Sequence, residues 1–383
     1  MNKNRVVVSA ARHTFGCSPL CVDVTDLGIG ESAALAVKDM ASGSRSPAQL
    51  MVESGRKMLC WIPNDLSKGQ TREYEVVSGN KPSSGVELVD IGDEKIDILI
   101  GGALFTSYYY TDKYVRPFLY PVIGPGGKGV TRNYPIVEGV PGECEDHPHH
   151  KSLYVAFGDV NGADVWSEES GHGYIKQREF LEKSSGLVFS RIKTMNDWLD
   201  NQGKKLMEEE RTVTIYNLPE NGRMIDFKIV FKASEGDVKF GDTKEGGIVS
   251  VRVATSMDGD KSGIITNSFG GVTEAENWGK PAHWCDYTGK VDGRTLGISI
   301  FDSPGNFRYP TRWHVRDYGL FTANPFAMSA YLGDKNIDGS HVVKAGELFP
   351  FSYRVYIHDG DAKAGNVAEQ YHGYINPPAV EIK

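Results

Sequence analysis

No run of apolar residues in the 383-residue chain approaches the roughly 18–20 needed to cross a bilayer, so no membrane-spanning segment is expected. The N-terminus, MNKNRVVVSAARH, holds one short apolar run followed by Arg12 and His13. It lacks the apolar core and small-residue cleavage site of a secretory signal, and a cytoplasmic location is the expectation. Cysteine is scarce: Cys17, Cys21, Cys60, Cys144 and Cys285 are odd in number and form no CxxC pair. Cys17 and Cys21 are four apart with no second pair to complete a zinc site, so all five are expected as reduced, mostly buried thiols. There is no excess of positive charge either. A formal net charge of −8 with both signs interspersed argues against a nucleic-acid partner, which would need a basic patch. G-x-S-x-G, a Walker loop, a dinucleotide G-x-G-x-x-G after a strand and H-E-x-x-H are missing, which removes the common nucleotide-dependent classes. No internal repeat or low-complexity linker is visible.

What the chain does have is 44 glycines, 18 tyrosines and 16 phenylalanines, a composition suited to many short strands joined by tight turns. Residues 1–90 read as a small β-sandwich unit. RVVVSA, MLCWIP and TREYEVVSG are its strands, and LGIGESAALAVKDMASG has room for a short helix broken by Gly and Ser. GVELVDIGDEKIDILIGG reads as a hairpin turning at Gly92-Asp93. From there to the end, residues 91–383, two-residue alternation dominates. In RTVTIYNLPENGRMIDFKIVFKA, Val213 and Ile215 mark one apolar face, Asn221-Gly222 the turn, and Ile225, Phe227, Ile229 and Phe231 the next face. Helical periodicity appears only in DAKAGNVAEQYHGYI near the C-terminus. So many strands at short spacing predict an all-β protein, a large twisted antiparallel β-sandwich preceded by the smaller unit.

Three segments carry chemistry. In residues 145–166, Leu153, Val155 and Phe157 alternate, which puts Asp146, His147, His149 and His150 at the mouth of a strand. In an extended chain His147 and His149 would point one way and His150 the other. A lone histidine is usually a satisfied hydrogen-bonding group, but three beside a carboxylate make a set able to move protons near neutral pH. In residues 306–326, Arg312, His314 and Arg316 share one face at period two, with Trp313 expected in the core. Two guanidiniums around an imidazole call for something anionic or oxygen-rich across them, a carboxylate or hydroxylated sugar, unless internal salt bridges absorb them. In residues 240–254, Lys244 and Glu245 precede Gly246-Gly247, where a strand begins, and Glu245 is a reasonable general base. Arg116, Tyr120, His283 and Trp284 add donors and ring faces suited to a sugar.

Taken in order, these motifs resemble the PmoA-like family of uncharacterised bacterial proteins over roughly residues 50–330. The matching stretches are Arg116-Pro117, the Asp146-His147-Pro148-His149-His150 run, residues 158–162 with Asn161, then Trp166, and residues 241–247. Trp284 with residues 286–289, residues 310–319, and Asn324-Pro325-Phe326 complete the set. A more distant resemblance leads to the galactose-mutarotase-like superfamily, whose large β-sandwich hosts aldose epimerases, lyases and glycosidase domains. Its epimerases pair a histidine acid with a glutamate base. That implies His149, His150 or His314 as acid and Glu245 as base, with Asp146, Asn161, Trp166, Lys244 and Asn324 around the substrate. The resulting expectation is a carbohydrate-active enzyme acting on a sugar or an acidic, oxidised sugar by mutarotation, epimerisation, β-elimination or hydrolysis. Its partner would be a small carbohydrate or oligosaccharide, with neither membrane nor nucleic acid and with no cofactor. Two alternatives stand beside it: a divalent-metal enzyme built on His147, His149 and His150 with Glu245 and His314, and a non-catalytic carbohydrate-binding protein.

Overall fold

The computed structural model describes residues 5–10, 12–29, 34–53, 55–79 and 85–383. Among them, alternating apolar residues become strands and little else. Two eight-stranded sheets, antiparallel throughout, face each other across one core. The first runs, edge to edge, Trp313–Val315, Leu320–Ala323, Gly246–Arg252, Leu153–Phe157, Phe118–Leu119, Ala103–Tyr109, Lys95–Ile100 and Val86–Ile91. The second runs Tyr174–Ser184, Phe189–Leu199, Lys205–Tyr216, Gly222–Lys232, Leu348–Asp359, Arg294–Asp302, Trp284–Val291 and Ile264–Asn267. Val213, Ile215, Ile225, Phe227, Ile229 and Phe231 all enter the shared core, as the period of two predicts. Trp313 joins them and donates from Nε1 to the carbonyl of Ala282.

Alternation also decides what the other face of the first sheet carries. Leu153, Val155 and Phe157 point into the core, so Tyr154 and Ala156 point away from it. Val249 and Val251 are likewise in the core, which turns Ser250 and Arg252 outward. The outward face therefore has its own cluster: Phe118, Tyr120, Tyr154, Trp166 and Leu320, with Tyr109, Tyr114 and Tyr318 partly buried against them. This face carries the candidate site.

The N-terminal unit is one seven-stranded sheet. Strands from across it share the core of Val6, Val8, Leu20, Leu35, Leu59, Trp61 and Tyr74, so the sheet wraps around its own contents. Two strands cross the division at residues 90 and 91. Val86–Ile91 pairs with Lys95–Ile100 in the large sandwich, through the expected hairpin with Gly92 at φ 57°. Ala379–Ile382, from the far end of the chain, pairs with Arg5–Ser9. Where a short helix had room, Leu35–Asp39 is a strand, because Val37 and Val76 pair across it; residues 30–33 of that stretch lie outside the described residues. The terminal helix is present as Val367–Ile375 and packs Val367 and Tyr371 into a third core between the small unit and the second sheet.

The cysteines depart from expectation. Cys21 and Cys60 form a disulfide, since Leu20–Asp23 and Arg56–Trp61 place them directly opposite each other. Their separation of 39 residues concealed a pairing that only strand register reveals. Cys17, Cys144 and Cys285 are free thiols.

Candidate functional site

The approach to the strand Leu153–Phe157 is not extended. His147 takes the left-handed conformation with φ 44°, uncommon for a residue with a Cβ. Two hydrogen bonds to its carbonyl hold it there, from the backbone N–H of His150 at 3.0 Å and from Arg132 Nη2 at 3.0 Å. The three imidazoles, expected to diverge, therefore converge. His147 stacks face to face on His150, with centroids 4.9 Å apart and planes 2° from parallel. It also stacks on Tyr318 at 4.9 Å. His149 meets His150 edge-on at 4.3 Å, and Trp166 closes the far side against both.

Beneath the rings lies a layer of buried charge. Arg132 and Arg252, neither with any exposed side-chain surface, both donate to Asp146 Oδ1, at 2.5 and 2.8 Å. Arg252 Nη1 lies 3.1 Å from His150 Nδ1. A guanidinium only donates, so that nitrogen is the acceptor and the ring proton of His150 sits on Nε2. On the other flank Arg116 donates to the carbonyls of His149 and Trp166 and pairs with Glu168, which also takes Lys151. Within salt-bridge distance, four cations thus meet two carboxylates.

Burial first, and that surplus after it, set the protonation states. Burial and then Arg116 push His149 down to about 3, and burial, His149 and Arg252 push His150 well below the usual histidine range. Burial lowers Lys151 to about 8 against the pull of Glu168. Burial opposes ionisation of Asp146, but Arg252, His147 and Arg132 outweigh it and hold the carboxyl at about 2. His149 and His150 are hydrogen-bonding groups in the neutral form. His147 is partly exposed, and its Nδ1 lies 2.9 Å from Asp146 Oδ2 without a well-directed hydrogen bond.

The other residues singled out by sequence divide into two groups. Glu245 is exposed at the start of the strand Gly246–Arg252, paired with Lys244. Its charge acts on both His314 and Tyr318, which brings it to the same outward face as the histidines. His314 is buried, with Nδ1 unpaired and its pKa lowered by burial to about 4. Asn324 is wholly buried and frames the Glu245 turn, donating to the carbonyls of Thr243 and Gly246 at 3.0 Å each. Tyr120 stands on the same face with its hydroxyl on Asn133. The second group lies elsewhere or is already engaged. Arg312 and Arg316 do not flank an open anion site. The strand Trp313–Val315 is too short to hold them parallel, and Arg312 turns to the carbonyl of Gly279 while Arg316 pairs with Glu274 at 2.8 Å and lies over Tyr318. Asn161 braces the backbone of Asp237 and Lys239. His283 and Trp284 belong with the second sheet, His283 stacking on Tyr309 and Tyr371 beside the terminal helix.

Among the described residues, no three His, Cys, Asp or Glu side chains are grouped to hold a metal ion. His147 and His150 lie in near-parallel planes, so their in-plane lone pairs do not converge on one ion. The residues that sequence reasoning missed are Arg132, Arg252, Tyr318, Lys151 and Glu168. One signal existed: Arg252 is a charge inside an otherwise apolar alternation, out of place unless its face is polar.

Among comparisons with known proteins, the family of unknown function DUF6807 matches residues 95–372. No curated protein matches the chain. Of solved structures, a protein in glycosyl hydrolase family 38 from Enterococcus faecalis aligns at 10% identity and a TM-score of 0.41, covering 99% of this chain and 47% of that one. The chain thus spans about half the length of that protein. Galactose 1-epimerase from Lactobacillus acidophilus NCFM aligns at 8% identity and a TM-score of 0.32, covering 73% of this chain and all of that one. At such scores neither alignment carries an argument about activity. Among the described residues no helix is long and apolar enough to cross a membrane.

Proposed function

Because the chain belongs to DUF6807, a family of unknown function, membership supplies no activity, and we propose from the site itself a carbohydrate-active enzyme that binds an acidic sugar and works on it by acid–base chemistry. The observation that carries this reading is the layer of Arg132, Arg252 and Asp146 under the stacked rings of His147, His150 and Tyr318. Buried guanidiniums in surplus over carboxylates project a positive field through a low-dielectric wall, which favours an anionic ligand. The ring faces of Tyr318 and His147 suit the apolar faces of a pyranose.

In this reading the neutral His150 donates from Nε2 to a ring or carboxylate oxygen. His147, beside Asp146, takes or returns a proton, and Glu245 is the second acid–base group. Of the reactions open to such a set, proton abstraction next to a carboxylate gains most from the arginines. Negative charge grows on the carboxylate as the carbon loses its proton, and a fixed positive layer stabilises that charge without reorganising. Epimerisation returns the proton to the other face; β-elimination expels the neighbouring substituent instead. The distant motif resemblance to mutarotases, whose epimerases pair a histidine acid with a glutamate base, points the same way for His150 and Glu245.

The test is calorimetry with D-galacturonate and D-galactose, followed by proton NMR of bound sugar acid in D2O. We expect galacturonate to bind better than galactose, with a salt-sensitive affinity, and its ring proton beside the carboxylate to exchange for deuterium. His147→Ala should abolish the exchange. Equal affinity for the two sugars would refute the charge argument, and tight binding without exchange would make this a binding protein.

A further inference from the structure

Alternation gives the second sheet an outward face as well, and the small unit lies over it. In the strand Phe189–Leu199, Ile192 and Trp198 enter the shared core, so Phe189 and Arg191 face out. Gln49 of the small unit is clasped there. Its Nε2 donates to the Phe189 carbonyl at 3.1 Å, and its Oε1 accepts from the backbone N–H of Val188 and Phe189 at 3.0 and 3.2 Å. Two residues further along each strand, Met51 therefore meets Arg191. Arg191 is only 9% exposed, yet it has no good acceptor. Its Nη1 reaches the Met51 sulfur at 3.5 Å, a weak acceptor, and its Nε is unpaired. Glu182 Oε2 stands 3.7 Å from Nη2, outside hydrogen-bond reach, and the other oxygen of Glu182 takes the Ser184 hydroxyl. Register places Thr214 opposite Arg191 and Asp226 opposite Thr214. Asp226 is already taken, by Arg354 at 2.6 and 2.8 Å and by the Tyr216 hydroxyl at 2.9 Å.

This guanidinium borders a cavity of about 210 Å³, closed by Cys21 and Met51 of the small unit, Thr212 and Thr214 of the second sheet, and Tyr374 of the terminal helix. Among the described residues neither threonine hydroxyl has a hydrogen-bond partner. The two carboxylates on the wall, Glu53 and Asp226, are paired with Lys228 and Arg354, so the cavity keeps the single positive charge of Arg191. A buried guanidinium without an oxygen acceptor is unfavourable unless something supplies one. We propose that the cavity is a second binding site, for a small hydroxylated carboxylate whose carboxylate meets the Arg191 fork and whose hydroxyl meets Thr212 and Thr214. One cation balances one charge, which favours a carboxylate over a phosphate carrying about two. The volume lies below the roughly 300–1,000 Å³ of drug-sized pockets, so the ligand is small. The site lies on the opposite side of the sandwich from the histidines and does not depend on the function proposed above.

The experiment titrates the full chain, labelled with carbon-13 at the methionine methyls, with D-glycerate, acetate and inorganic phosphate, and follows the Met51 signal assigned through Met51→Leu. D-Glycerate should move that signal saturably with a Kd of about 1 mM or below, and acetate and phosphate should bind at least about fivefold more weakly. Arg191→Gln, checked for a native thermal transition, should weaken glycerate about tenfold or more. Thr214→Val, which keeps the guanidinium, should bring glycerate down to the level of acetate and serves if the first variant does not fold. His147→Ala should leave the Met51 shift intact, which separates this cavity from the histidine site. No saturable shift in wild type up to about 20 mM glycerate overturns the proposal. A shift that survives Arg191→Gln, one lost in His147→Ala, or acetate or phosphate binding as tightly as glycerate overturns it too.

Discussion

Replacing Asp146 by Asn keeps the shape of the side chain and removes the charge that Arg132 and Arg252 share. Both guanidiniums are without exposed surface, so the variant leaves two buried cations facing a neutral amide. The carboxyl is held at about 2 rather than 3.8, burial opposing its ionisation and Arg252 outweighing burial. At about 1.36 kcal/mol per tenfold change in proton affinity, that gap corresponds to about 2.4 kcal/mol. A third of the Asp146 side chain is exposed, and screening reduces the figure to about 1–2 kcal/mol. Stranding the arginines is another view of the same loss: removing one member of a fully buried pair typically costs about 3–5 kcal/mol, and the partly exposed Asp146 falls below that range. We expect a loss of about 2–3 kcal/mol at neutral pH, read from urea denaturation followed by tryptophan fluorescence. The pH dependence has a definite sign. A folded pKa below the unfolded one gives stability that is complete above about pH 4 and disappears as pH falls towards about 2. Wild type should therefore lose more stability than Asp146→Asn over that window. A variant within about 0.5 kcal/mol of wild type at neutral pH would refute the account of the charged layer.

Asn324→Ala deprives the buried carbonyls of Thr243 and Gly246 of their donor and should cost about 1–3 kcal/mol by thermal denaturation; a loss below about 0.5 kcal/mol would mean that other donors hold the Glu245 turn. Asp258, buried with Oδ1 unpaired, is pushed up to about 7 by burial despite Arg252. Its folded pKa lies above the unfolded value, so it disfavours the fold once ionised, and stability should fall as pH rises from about 4 through about 7. Asp258→Asn should flatten that limb, and an unchanged profile would show that another group titrates there. The Cys21–Cys60 disulfide closes a loop of 39 residues and should contribute about 4 kcal/mol by loop entropy. The Cys21→Ser/Cys60→Ser double variant should therefore melt earlier in its N-terminal sheet, followed by hydrogen exchange, and identical exchange would remove that role.

Much of the fold follows from local alternation. Phe227 and Ile229 announce their strand because a half-buried strand must repeat every two residues, and Asn221-Gly222 marks the turn, which closes from Pro219 to Gly222 with neither residue at positive φ. The histidine run and Glu245 stood out for the same local reasons. The layer that gives them chemistry did not, because Arg132, Arg252 and Asp146 come from three separate segments that only the fold brings together. The stacking of His147 on His150 was hidden by a single left-handed residue that reverses the chain, which alternation cannot foresee. Arg312 and Arg316 misled in the opposite direction. Their period of two was real, but Glu274 and the Gly279 carbonyl, far along the chain, had already taken them.

The strand Ala379–Ile382 completes the N-terminal sheet by pairing with Arg5–Ser9, whose other neighbour is Thr71–Ser78. During synthesis Arg5–Ser9 must therefore wait for a strand made after both large sheets before this edge of it is paired. Until then Arg5–Ser9 presents an open row of backbone donors and acceptors while the two large sheets assemble beside it. A chain released before Ala379–Ile382 is made would carry its sandwich strands but leave this edge of the small sheet able to recruit a neighbour's strand.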